Sequence, residues 1–271
     1  MGVHLAVAIA EDACKNGEIF SLGPLIHNQR VIKDLESKGL KVLKRGENPP
    51  PLSAVIISAH GISPLREKEL NENCAVLLDA TCPNVKANQK TAESYSKKGY
   101  YVFLAGEKNH SEIIGISGYI TKKGCNICSN TAEAEEAAKK LKQKAGNEKT
   151  VLIGQTTINP ALYNAIGEKI RLYFPQLKII NTICDATEKR QEALKKLCKK
   201  AEAIIVIGGK ESSNTRQLCL IAQEQGKDAF LVETVEDIPE DIKKYNTVGI
   251  CAGASSPLDY TTEIITYITS L

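Results

Sequence analysis

The feature that most constrains this chain is an alternation. Short β-branched apolar runs at 54–58, 75–79, 100–105, 151–154, 178–181, 203–207, 229–232 and 248–251 alternate with longer segments of helical period. The helical segments cover 84–98, 132–145, 160–174, 187–200 and 212–225. A continuously apolar strand has both faces covered, and parallel strands need a crossover to bring the chain back. The pattern therefore predicts an α/β protein built on parallel sheets. At 271 residues and a prior of about 150 residues per domain, two or three small lobes are more natural than one core. Pro49-Pro50-Pro51 and the Gly146-Asn147 region are the clearest punctuation, and neither is a long linker.

Charge and composition narrow the partners. Lys and Arg number 35 against 32 Asp and Glu, a balance of 35 − 32 = +3. That is too mild for a nucleic-acid or anionic-membrane footprint, so lysine-rich faces such as Lys139-Lys140 and Lys195-Lys196 read as solvated surface. No apolar run approaches the ~18 residues that span a bilayer, and the start lacks the basic flank and apolar core of a signal peptide. The expectation is a cytoplasmic protein without nucleic-acid or membrane partners. Nine cysteines, an odd number without small-scaffold spacing, read as reduced thiols with metal ligands among them.

The runs do not end in arbitrary loops. They lead into Ser58-Ala59-His60-Gly61, Ala80-Thr81-Cys82-Pro83, His110-Ser111-Glu112, Gln155-Thr156-Thr157, Thr182-Ile183-Cys184-Asp185, Ser212-Ser213-Asn214 and Gly253-Ala254-Ser255. In open parallel sheets, ligands bind beyond the carboxyl ends of strands, so chemistry is expected there. Cys82 and Cys184, both at strand ends, are candidate ligands of a shared metal or cluster. Cys125-x-x-Cys128 is the tempting local pair, but it reads as incidental in a turn-rich stretch after Lys122-Lys123-Gly124. Cys14, Cys74, Cys198, Cys219 and Cys251 read as core or surface fillers.

His27, His60 and His110, together with Ser and Asn groups at helix starts, suit an anion held by directional hydrogen bonds. A plain helix cap is the lesser alternative for Ser212-Ser213-Asn214. Glu112, two residues after His110, is a candidate acid whose pKa burial would raise. Its alternative is a first-turn carboxylate favoured by the helix dipole.

With these motifs in family order along nearly the whole chain, the sequence resembles the 4-hydroxy-3-methylbut-2-enyl diphosphate reductases, last enzymes of the non-mevalonate isoprenoid pathway. The resemblance rests on Ser58-Ala59-His60-Gly61, Asp79-Ala80-Thr81-Cys82-Pro83, Gln155-Thr156-Thr157, Asn181-Thr182-Ile183-Cys184, Ser212-Ser213-Asn214 and Ala252-Gly253-Ala254-Ser255-x-Pro257. It implies three small parallel-sheet α/β lobes, expected at 1–81, 82–183 and 184–271 with the last helix returning to the first lobe. They would be arranged around a central [4Fe–4S] cluster. By the same resemblance, Cys82 and Cys184 are the second and third cluster ligands. His27, His60, His110, Ser212, Ser213, Asn214 and Ser255 bind the substrate diphosphate. Glu112 delivers protons and Thr156 orients the hydroxyl, with His110 beside them. The implied substrate is a small allylic diphosphate, and the implied electron donor a reduced ferredoxin or flavodoxin.

The family opens with a strand and a Gly-Phe-Cys-x-Gly-Val turn, whose last two residues align with Gly2-Val3. The first cluster cysteine is thus expected just upstream of Met1. A helix over 3–15, with Val3, Val7, Ala10 and Cys14 on one stripe and no strand before it, matches that expectation. Cys14, about 20 Å along the helix at 1.5 Å per residue, is no substitute. A cluster-less diphosphate-binding remnant of the same fold is the alternative, and a zinc hydrolase with Cys and His ligands is a second; absorption from thiolate to iron separates both from the first reading.

Overall fold

The structure is a computed structural model and describes residues 2–44 and 46–270. In chain order, α1 (Gly2–Cys14) leads to β1 (Ile19–Ser21), α2 (Gln29–Ser37), β2 (Leu40–Val42), β3 (Ala54–Ile57), α3 (Pro64–Asn73) and β4 (Val76–Asp79). A second run comprises α4 (Pro83–Lys97), β5 (Tyr101–Ala105), α5 (Ser111–Ser117), β6 (Cys125–Cys128), α6 (Thr131–Ala145), β7 (Thr150–Gly154), α7 (Pro160–Arg171) and β8 (Lys178–Ile179). The third is α8 (Asp185–Cys198), β9 (Ala203–Ile207), α9 (Ser213–Glu224), β10 (Asp228–Val232), β11 (Val248–Ala252) and α10 (Leu258–Thr269).

These strands form three sheets, ordered β2-β1-β3-β4, β6-β5-β7-β8 and β10-β9-β11, and every recorded pairing is parallel. The chain divides into two compact units. The first, Met1–Leu25 with Lys38–Cys184, holds the first two sheets; the second, Ile26–Ser37 with Asp185–Leu271, holds the third sheet and α2.

Period-two alternation explains why the strands are apolar throughout. In β5, Phe103 and Ala105 pack with Ala134, Ala138 and Leu141 of α6 and Ile166 and Ile170 of α7. Val102 and Leu104 face the other way, onto Ala92 of α4 and Ile116 of α5. In β9, Ile204 and Val206 pack with Leu194 and Leu218 of the α8–α9 layer, while Ile205 and Ile207 meet Tyr260 and Ile264 of α10. Each of these two sheets is covered on both faces.

Register brings the strand ends level. Ala105 sits opposite both Cys128 and Gly154, Ile57 opposite Asp79, and Ile207 opposite both Val232 and Ala252. Backbone bonds continue across the first loop residues: Gln155 N–H donates to Ala105 O at 2.8 Å, Cys82 N–H to Ala59 O at 3.0 Å, and Gly253 N–H to Ile207 O at 2.7 Å. The polar segments beyond the strands are therefore held side by side within each sheet.

The structure corrects several details of the sequence reading. The stretch 125–128 is an edge strand, and its two cysteines face opposite sides of the sheet: Cys128 lies in the α6–α7 core, Cys125 against the α4–α5 layer. Their thiols cannot converge on one metal. The run at 178–181 pairs only over Lys178–Ile179. The opening helix buries Ala6 and Ala10, with Val3, Val7 and Cys14 half-buried beside them.

Candidate active site

In the first unit, the polar groups gather at the ends of β3, β4, β5 and β7. His60 follows β3 in a turn closed by Gly61, whose φ of +71° and close approach to Thr81 and Gln89 leave no room for a side chain. Ser58 Oγ lies 3.4 Å from His60 Nδ1. His110 caps α5: its Nδ1 accepts the Glu112 N–H at 3.1 Å. With Nδ1 an acceptor, the neutral ring carries its proton on Nε2. The rings of His60 and His110 meet edge to face, centroids 5.3 Å apart.

Glu112 is the most informative residue. It lies in the first turn of α5 but is only 2% exposed, so the helix dipole is not its main partner. Thr156 binds both carboxyl oxygens. Its N–H donates to Oε1 at 2.7 Å, and its Oγ1 lies 2.8 Å from Oε2. Burial raises the carboxyl to about 7, against the opposing pull of the two Thr156 bonds. A carboxyl of that pKa exchanges a proton near neutrality, as an acid catalyst must.

Cys82 is the N-cap of α4, yet its side chain makes no capping bond. Gly2 of α1 lies so close that a Cβ there would collide with Cys82 Sγ. Cys184 is reached from the same helix: Asn84 Nδ2 donates to Cys184 Sγ at 3.0 Å, and the Cys184 N–H bonds Thr156 O at 3.0 Å. Thr182 Oγ1 accepts the Gly154 N–H at 2.7 Å, and Asn88 Nδ2 reaches both Gly154 O and Thr182 O. The Cys184 loop is thus pinned to the loop that carries Thr156. All nine cysteines are free thiols.

The second unit contains His27, Ser212, Ser213, Asn214 and Ser255. Ser212 does cap α9, its Oγ accepting the Thr215 N–H at 3.3 Å, as the plain-cap reading expected. Asn214 behaves differently: its amide oxygen and nitrogen are both buried without a partner. Ser255 Oγ donates to His27 O at 3.2 Å. Lys210, in the loop before α9, pairs with Asp237 at 2.6 Å.

Sequence reading missed Asn28, Asn84 and Asn88 as parts of these networks. Asn28 and Asn84 stand next to or two residues after a singled-out His or Cys, which was the available signal. Among the described residues, no helix is long and apolar enough to cross a membrane.

A parallel α/β chain with free thiols, a histidine pair and a buried, proton-exchanging carboxyl at its strand ends has the make-up of an enzyme of redox and acid chemistry. The sequence pattern of the LytB protein family matches residues 1–269, and the chain belongs to that family. It is 38% identical over 259 residues to the 4-hydroxy-3-methylbut-2-enyl diphosphate reductase of Aquifex aeolicus, covering 94% of this chain and 88% of the relative. The enzyme of the same name from Caldanaerobacter subterraneus is 38% identical over 276 residues, covering 100% and 93%. Among solved structures, the E-1-hydroxy-2-methyl-but-2-enyl-4-diphosphate reductase of Plasmodium falciparum superposes with a TM-score of 0.89 at 31% identity, over 99% of this chain and 84% of that one. A second, the (E)-4-hydroxy-3-methyl-but-2-enyl diphosphate reductase described as the terminal enzyme of the non-mevalonate pathway, gives 0.70 at 36% identity, over 100% and 95%.

Proposed function

We propose that this chain is a 4-hydroxy-3-methylbut-2-enyl diphosphate reductase of the cytoplasm. It takes up two electrons and two protons, releases the allylic hydroxyl as water, and yields isopentenyl and dimethylallyl diphosphates. The observation that carries this reading is the buried Glu112 carboxyl clamped by Thr156. Such a pair provides a neutral acid and a hydroxyl through which its proton can leave, as loss of an allylic hydroxyl requires.

The residues present suit an iron–sulfur cluster. Cys82 and Cys184 are free thiols on neighbouring segments, and thiolate is the ligand such clusters favour. Cys82 and Cys184 would hold two of the iron sites of a [4Fe–4S] group. The bound cluster supplies the electrons and Lewis acidity toward the hydroxyl. Glu112 holds a proton at Oε2 and passes it to Thr156 Oγ1, whose own proton moves on to the departing oxygen. A reduced ferredoxin or flavodoxin is the proposed electron source.

His27, His60, His110, Ser212, Ser213, Asn214 and Ser255 grip the diphosphate. Support comes from Asn214: a buried amide without a partner costs free energy, and a ligand oxygen relieves that cost. Substituting Asn214→Ala or His60→Ala removes hydrogen bonds to a charged group, each worth about 1.5–3 kcal/mol. Calorimetry with the allylic diphosphate should show a corresponding loss of affinity, and unchanged binding in both variants would exclude the site.

The activity itself is tested anaerobically with iron-loaded protein, a chemical reductant and the allylic diphosphate. Formation of the two isoprenoid diphosphates is the expected result. Loaded protein that leaves the hydroxyl in place would overturn the reading.

A further inference from the structure

Asn28 uses both ends of its side-chain amide. Its Oδ1 accepts the Val31 N–H at 3.2 Å, capping the first turn of α2. Its Nδ2 donates to Ser255 O at 2.8 Å, in the loop beyond β11. The residue is 3% exposed, and all of these contacts lie within the second unit. Two further contacts converge on its neighbour. Ser255 Oγ donates to His27 O at 3.2 Å, and Gly209 approaches His27 O so closely that any Cβ would collide with it.

We infer that Asn28 is a positioning residue for the anion site, acting through Ser255. The side chain that starts α2 also fixes the backbone of Ser255, and so holds the Ser255 hydroxyl beside His27. Without the Nδ2 bond, the 255 loop must be ordered when the anion binds, and that ordering subtracts from affinity. The inference rests on the reading above, in which His27 and Ser255 bind diphosphate.

Serine and threonine separate the two jobs of Asn28. Either hydroxyl can cap α2 as asparagine does, but neither carries the amide nitrogen that reaches Ser255 O. Asn28→Ser is therefore expected to weaken binding of inorganic diphosphate about three- to tenfold, the range of one hydrogen bond. Asn28→Thr, which fills more of the vacated volume, should show the same loss and serves if the serine variant folds poorly.

A merely structural role is excluded by a cycle with Ser255→Ala. If Asn28 acts through Ser255, Asn28→Ser costs nothing further once the hydroxyl is gone. Calorimetry with inorganic diphosphate on the four proteins reads this directly. Parent-like binding by both Asn28 variants overturns the inference, as does an equal loss in the two backgrounds. If Ser255→Ala alone binds like the parent, the underlying assignment of Ser255 fails instead, and the inference falls with it.

Discussion

Replacing Glu112 with glutamine is expected to lower turnover about 10²–10⁴-fold, the usual contribution of a positioned general acid. Iron content and diphosphate affinity should stay at parent values. Glutamine accepts the Thr156 N–H and donates toward Oγ1, as the protonated acid does, but it has no proton to give. A variant turning over within a few-fold of the parent would reduce Glu112 to a structural partner of Thr156. Stability should respond as well. The folded carboxyl titrates at about 7 against an ordinary 4.5, because burial outweighs its two hydrogen bonds. Between those values the folded protein holds a proton that the unfolded chain has released. The resulting stabilisation is present below the ordinary pKa and is lost as pH rises through about 7. It is on the order of 3 kcal/mol. Glutamine removes this slope, so urea titrations should show the variant gaining on the parent as pH rises from about 5 to about 8.

The second large effect concerns iron. In anaerobically iron-loaded protein, Cys82→Ser or Cys184→Ser should abolish cluster assembly. A serine hydroxyl is deprotonated far less readily than a thiol and is a poor ligand for a soft cluster. Iron and sulfide analysis, with the visible thiolate-to-iron absorption, provides the measurement. Cys125→Ser is the matched control: its partner Cys128 points to the opposite face of the sheet, and full iron content is expected. Undiminished iron in both the Cys82 and Cys184 variants would remove the assignment.

Long apolar strands were legible because burial on both faces writes an uninterrupted run. The run at 203–207 coincides with β9 residue for residue. The three-residue β1 and β2 carry too little pattern to read, and β6 interrupts its apolar character with Asn126. Candidate groups beyond the strands were visible because parallel sheets leave their loops at one edge. The environment of Glu112 was not, since its burial and both its bonds depend on Thr156, 44 positions further along. Asn28 likewise looks like any helix cap until Ser255, 227 positions away, is folded against it.

That separation bears on how the protein is made. The second unit joins Ile26–Ser37 to Asp185–Leu271, while Lys38–Cys184 belongs to the first. At ribosomal speeds of about 5–20 residues per second, Ser255 follows Asn28 by roughly 10–45 s. α2 waits through that interval without the Asp185–Leu271 segment with which it forms a unit. The entropy of closing so long a loop grows only logarithmically with its length, so the delay in synthesis outweighs the loop as an obstacle. Joining an early helix to a late segment is therefore a late step of folding, and a nascent chain stalled before residue 185 would lack the partner of α2.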